Sequence, residues 1–364
     1  NIYLNSFLYN KKISKPLRSS LKYKPSTYLL SSIVKIQPKK INIDEFALET
    51  VWTKNNLDKK QFKQLYSFFW ILSLDLKSSS SSVQKVIENW IEINKNYSSK
   101  SWEFDITSKR IISWLSNTKL TYDDSSDEYK NNFNSIIQKQ TYHLLYQINT
   151  LRKYDDKLVG ITAIILFSLS YSEQEKLLSL GLEYLKKILR NSLDKSSFPK
   201  SRNIKESIFY LRHLILIREW FKESQISIPE FINEHIFYLG QSYTFFWKTI
   251  NFDPLFNGNN ISKNQEFDQY LKRLGYSFKN ENYENCNYVS LKNKKNNLFM
   301  DVGPSPDKNF SYKYQAGALS FEFLSNGKKI FTNSGLYDYK NKKLNRLSRS
   351  SAMHNTLVID DNSS

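Results

Sequence analysis

"YQAGALSFEF" (314–323) alternates apolar and polar residues, the period of two of a strand that buries one face. Before about residue 250 the chain reads differently. "KKQFKQLYSFFWILSLDL" (59–76) sets Phe62, Leu65, Phe69 and Leu72 on one helical stripe. "SSSSS" (78–82) reads as a loop and then a cap for "VQKVIENWIEIN", and Asp105 reads as the N-cap of "DITSKRIISWLS". Further helices are predicted near 128–153, 157–171, 173–191, 203–223 and 228–250, joined by short linkers as antiparallel hairpins. Helix pairs repeated without a strict sequence repeat suggest an α/α toroid or a solenoid. After "FNGNN" (256–260) the period changes. "YVSLKNKKNNLFMDVG", "GALSFEFLSNGKKIFTNSG" and "HNTLVIDD" read as strands, and "SNGKK" as a hairpin turn. The predicted organisation is a helical domain over 1–260, with an irregular, basic segment at 1–45 broken by Pro16, Pro25 and Pro38, and the start of an antiparallel β domain over 265–364.

A chain of 364 residues is long enough for two cores. Hydrophobic residues make up 40%, with 24 Tyr and 24 Phe, which excludes a disordered chain. Only 9 Gly and 8 Pro argue against a turn-dense all-β fold. The net charge of +18 has two readings: a polyanionic partner, or compositional drift in a chain rich in Lys, Asn, Ile, Tyr and Phe. No helix-turn-helix, zinc-finger or RNA-binding motif supports a nucleic-acid partner. Cys286 is the lone cysteine, so no intrachain disulfide forms, and no Cys/His cluster has zinc spacing. "LVGITAIILFSLSY" (158–171) is too short for a membrane span and reads as a buried core helix. The first residue is Asn1, no signal-peptide pattern is present, and both ends read as cuts in a longer protein.

Several segments together resemble the heparinase II/III-like proteins, polysaccharide lyases and their relatives. In family order they are "LYSFFWILSLDL", "WEFDITSKRIISWL", "FPKSRNIKESIFYLRHLILIREW", "PLFNG", "DVGPSP", "YQAGALSFEF", "NSG" and "HNTLVIDDNSS". The resemblance implies an α+β multidomain fold: an incomplete α/α toroid followed by a layered antiparallel β-sheet (super-sandwich) domain, truncated at its C-terminus. It also implies a bacterial, periplasmic protein, with an acidic polysaccharide as partner. The oligomeric state is left open.

Lyases of this kind cleave uronate glycans by β-elimination, which needs a group to neutralise the carboxylate, a base and an acid. Arg202 and Asn203, at a helix start, are the candidate carboxylate binders, with Gln315 and Asn257. Tyr314 and His354 are the candidates for proton transfer. Arg110 and Trp114, four apart on one helix, are either core or a sugar-stacking wall. The chain departs from the lyase pattern where it has Phe198 and Pro199 in place of Asn or His, Gln315 in place of His, and Asn333 in place of Asp. No cofactor is expected, and Asn333 weakens a structural metal site near His354. The alternative is a non-catalytic glycan-binding or envelope-polysaccharide protein that retains the lyase fold.

Overall fold

In the computed structural model the described residues are 2–14, 20–34, 52, 57–74, 80–248, 253–259, 265–337 and 341–360. Pro16, Pro38, the first two serines of the 78–82 run, Asn260 and the last four residues lie outside them. The helices in chain order are α1 (Phe7–Ile13), α2 (Lys59–Tyr66), α3 (Ser80–Asn94), α4 (Phe104–Leu115), α5 (Thr118–Thr121), α6 (Asp127–Gln147), α7 (Tyr154–Ser170), α8 (Glu175–Ser192), α9 (Ile204–Glu223), α10 (Glu230–Tyr243), α11 (Gln265–Arg273) and α12 (Lys342–Leu347). Five strands follow α11: β1 (Glu284–Asn285), β2 (Tyr288–Lys292), β3 (Asn296–Asp301), β4 (Phe321–Ser325) and β5 (Lys328–Phe331). Two compact units result, Asn1–Ile188 with Leu216–Ile228, and Leu189–Ile215 with Pro229–Ser364.

In the first unit α7 is the central helix. Every residue from Leu158 to Ser170 is buried, as expected of a helix that is apolar all round. No helix among the described residues is long and apolar enough to cross a membrane. The helix predicted over 59–76 is broken instead at Phe68, whose φ of 58° is left-handed. That conformation costs a bulky residue about 1–3 kcal/mol. It inserts the Phe68 ring edge-on against Trp90 and Trp114, at 6.2 and 5.0 Å. Asp105 does not cap α4. The helix begins one residue earlier, and Asp105 pairs with Lys109 at 2.8 Å.

Arg110 and Trp114 are both fully buried, so they belong to the core and form no sugar-stacking wall. Arg110 donates to the carbonyls of Tyr66 and Ser101 and to Gln140 Oε1, at 3.0–3.2 Å. Its guanidinium lies 4.0 Å from the Trp90 ring centre, and burial pushes its pKa well down.

His143 on α6 is buried beside Tyr9, Tyr97 and Trp102, and its Nδ1 lies 2.7 Å from the Tyr9 hydroxyl. Burial lowers its pKa from 6.5 to about 4, against a backbone hydrogen bond at Trp102 that raises it. Above pH 6.5 the ring is neutral in both the folded and unfolded chain and costs nothing. Between pH 6.5 and 4 the unfolded chain takes a proton that the folded chain refuses. Stability should therefore fall across that window by on the order of 3 kcal/mol from this residue. Urea unfolding of wild type and His143→Gln at pH 7.5 and 4.5 checks this, with a smaller acid loss expected in the variant.

In the second unit the sheet is antiparallel throughout, in the order β1-β2-β3-β4-β5. The β4–β5 turn uses Asn326 and Gly327, with φ of 48° and 74°, as the "SNGKK" reading predicts. One face of the sheet is buried and includes Tyr288, Phe299, Asp301, Glu322 and Leu324. Phe299 packs there against Phe245, Phe246 and Phe256, with ring centres 5.5–5.8 Å apart. Two expectations fail. "YQAGAL" precedes β4 as irregular chain, with the strand starting only at Phe321, and "HNTLV" forms no strand. Leu357, Val358 and Ile359 are 48–63% exposed, so their alternation has no buried face to fill. The short helix α11, which follows the change of period, was not predicted.

Candidate active site

The site is built on the turn that starts α9. Asn203 Oδ1 accepts from the backbone N–H groups of Lys205 and Glu206, at 2.9 and 3.3 Å. Asn203 is therefore a helix cap, and it is 2% exposed. Arg202, at φ 56°, turns its guanidinium into the sheet. There it pairs with Asp301 on β3, lies 4.7 Å from the Tyr288 ring centre, and reaches the carbonyls of Cys286 and Asn287, each at 3.4 Å. Those two residues form the β1–β2 turn, both with positive φ. Asn257, also at positive φ, donates from Nδ2 to Asp301 Oδ2 at 2.7 Å and to the Tyr288 hydroxyl at 2.6 Å. The Tyr288 hydroxyl donates to the Arg202 carbonyl at 3.0 Å, which closes the network. Burial pushes the Asp301 carboxyl up, while Arg202 and Asn257 hold it down.

Gly303 is required by close approach: a Cβ there would lie 2.2 Å from the Arg202 guanidinium. Gly258 has φ +86°, and its backbone N–H donates to Gln315 Oε1 at 2.9 Å. The amide nitrogen of Gln315 donates to the Ser348 carbonyl, also at 2.9 Å.

These contacts correct the expected carboxylate-binding set. Arg202 does not line an open surface; it is 7% exposed and ion-paired inside the second unit. Asn257 and Gln315 are 3% and 1% exposed, and the amide groups of both are engaged within the fold. Their part in a site is to hold the residues around it.

Beside this network lies a pocket of about 500 Å³ whose lining includes Tyr314, Gln315, Asn345, Arg346, Arg349 and Ser350, with no Asp or Glu among the described residues. Arg349 donates from Nε to the Tyr314 carbonyl at 2.9 Å and from Nη2 to the Ser311 carbonyl at 3.3 Å, which fixes the wall. Arg346 is exposed. The Tyr314 hydroxyl has a long contact of 3.5 Å with Ser305, and burial raises its pKa, so it is a phenol at neutral pH. The preceding residue, Lys313, pairs with Glu206 of α9 at 3.0 Å.

His354 is half-buried, with Nε2 2.9 Å from the Ser348 carbonyl, the same oxygen that Gln315 meets. A carbonyl only accepts, so Nε2 carries the proton and Nδ1 keeps its lone pair. Burial lowers the pKa of His354. Tyr314 and His354 are thus each hydrogen-bonded to one of two adjacent residues, Arg349 and Ser348. Sequence reasoning missed Arg346, Arg349, Lys313 and Glu206. The paired arginines of "RLSR", in a chain that otherwise prefers lysine, were the available signal.

Of the other tyrosines in these segments, Tyr243 is buried and donates to Asp268 at 2.9 Å, and Tyr312 is 46% exposed. The Oδ1 of Asn333 accepts from the Asn355 N–H at 3.0 Å, and among the described residues no group of three His, Cys, Asp or Glu is placed to hold an ion.

The fold is that of solved lyases. Heparinase III matches with a TM-score of 0.66 at 14% identity, over 98% of this chain and 67% of that one. Heparan sulfate lyase HepC from Pedobacter heparinus matches with a TM-score of 0.70 at 12% identity, over 98% of this chain and 65% of that one. A third structure, the heparinase III-BT4657 gene product, matches with a TM-score of 0.65 at 13% identity, over 86% of this chain and 57% of that one. The chain thus spans between 57% and 67% of the length of these three structures. The expected fold class, an α/α toroid followed by an antiparallel sheet domain, is the one they share. Residues 278–364 match the family model "Heparinase II/III-like, C-terminal". Together these findings support the heparinase II/III-like family for this chain. No curated protein sequence matches it.

Proposed function

We propose that this protein is a polysaccharide lyase that cleaves acidic, uronate-containing glycans by β-elimination. The observation that carries this reading is one pocket lined by Tyr314 and two arginines, with no carboxylate among the described residues. Arg346 takes the uronate carboxylate, with the charge of Arg349 beside it, and spreading the carboxylate's charge makes the C5 proton removable. His354 Nδ1 is the base. As it removes the proton, the C4–C5 double bond forms and the C4–O bond breaks. The Tyr314 hydroxyl gives its proton to the departing oxygen. The proton on His354 then returns the tyrosinate to phenol, directly or through water.

The ultraviolet absorbance of the unsaturated uronate tests this. Wild type, incubated with a panel of uronate glycans, should release absorbing product. His354→Ala should lose about 100-fold or more in kcat. Full activity in the variant would remove His354 from the mechanism.

A second reading, a glycan-binding protein without elimination chemistry, is favoured by Gln315. Its amide is engaged at both ends and offers no titratable group. Calorimetric binding of a glycan that wild type never cleaves would favour that reading.

A further inference from the structure

Gly258, Gln315, Ser348 and His354 form one hydrogen-bonded chain. The Gly258 N–H donates to Gln315 Oε1, and Gln315 Nε2 donates to the Ser348 carbonyl, each at 2.9 Å. The same carbonyl meets His354 Nε2 at 2.9 Å. The direction of every link is set by its ends. A backbone N–H cannot accept and a carbonyl cannot donate, so the Gln315 amide has one orientation and the imidazole one tautomer. Ser348 is 3% exposed and has no freedom to turn away. Its hydroxyl donates to the Asn345 carbonyl at 3.0 Å and accepts from the Tyr337 N–H at 3.3 Å.

We propose that Gln315 is a positioning residue that acts through the Ser348 carbonyl to hold His354 with its proton on Nε2 and its lone pair on Nδ1. This rests on the lyase reading for its use, and not for its existence. Gln315 is 1% exposed and both ends of its amide are engaged within the fold, so it acts on the ring through the carbonyl. It fixes where the carbonyl points, and the carbonyl fixes which ring nitrogen is bare. A hydrogen bond polarised at both ends also strengthens its neighbours. Without the Gln315 amide the carbonyl has one donor fewer and can swing, and the ring then samples both tautomers and a second orientation.

Nitrogen-15 NMR of the imidazoles tests this without any activity. The protein has four histidines, and loss of one signal set in His354→Ala assigns that residue. Wild-type His354 should show its proton on Nε2. Gln315→Met keeps the length of the side chain and removes both of its hydrogen bonds. In it, His354 should show a mixture of tautomers. The kcat of an active preparation should fall about 10-fold to 100-fold with KM little changed, the cost of a misplaced group. Gln315→Glu retains an acceptor for Gly258 and carries the same test if the methionine variant does not fold. A wild-type His354 protonated on Nδ1 overturns the proposal. So does a folded Gln315 variant whose His354 keeps a single Nε2–H tautomer, whatever happens to its kcat. An inactive wild type with the expected tautomer shift would count against the lyase reading alone.

Discussion

Arg202→Met should destabilise the protein by about 3–5 kcal/mol, the cost of stranding a buried charge. The side chains of Arg202 and Asp301 are only 8% and 2% exposed, so water screens neither. Removing the guanidinium leaves Asp301 with the Asn257 amide and the Gly303 N–H, at 2.7 and 3.1 Å, and no counter-charge. It also frees the carbonyls of Cys286 and Asn287 in a turn that already holds two residues at positive φ. Urea unfolding monitored by tryptophan fluorescence gives the loss. Arg202→Met combined with Asp301→Asn should recover part of it, because the stranded charge is then gone. A single-variant loss below about 1 kcal/mol would mean that water reaches the pair and that the network is not closed.

Tyr314→Phe should do the opposite: little to stability and most of the damage to turnover. Among the described residues the hydroxyl has only the long Ser305 contact to lose, so the fold should stay within about 1 kcal/mol of wild type. On the proposed chemistry kcat should fall by about 100-fold to 10,000-fold, the range for losing a positioned proton donor. Substrates with a good leaving group should suffer less, because a departing oxygen that is already weakly basic needs little protonation. Equal losses across leaving groups would place Tyr314 outside the acid step.

The change from helix to sheet was legible because it is a change of period, and a period is a local property. The β4–β5 turn was legible for the same reason, since Asn326 and Gly327 are themselves the turn. The roles of Arg202, Gln315 and Asn257 were not legible. An arginine beside a helix start looks the same whether it faces a ligand or an aspartate 99 residues further on. Burial settles the difference, and burial is written in the partner. Gly303 and Gly258 held part of the answer, as places where chain and side chain come too close for a Cβ. Phe68 shows the same limit in the first unit. Its helical stripe is intact, and packing against Trp90 and Trp114 overrides it. Tyr314 and His354 were singled out by the resemblance and by the proton-transfer chemistry of Tyr and His, and Tyr312, two residues before Tyr314, carried the same signal.

The β1–β2 turn has one more property, a chemical one. Cys286, the only thiol in the chain, sits in that turn, and burial pushes its pKa up to about 12. At pH 8 about one molecule in ten thousand holds the thiolate that an alkylating reagent needs. The thiol is thus nearly silent while the turn is closed, and returns to ordinary reactivity when it opens. Its alkylation rate is a clock for that opening. Because the carbonyls of that turn are the ones that Arg202 holds, the clock reads the buried ion pair from outside, with no residue substituted.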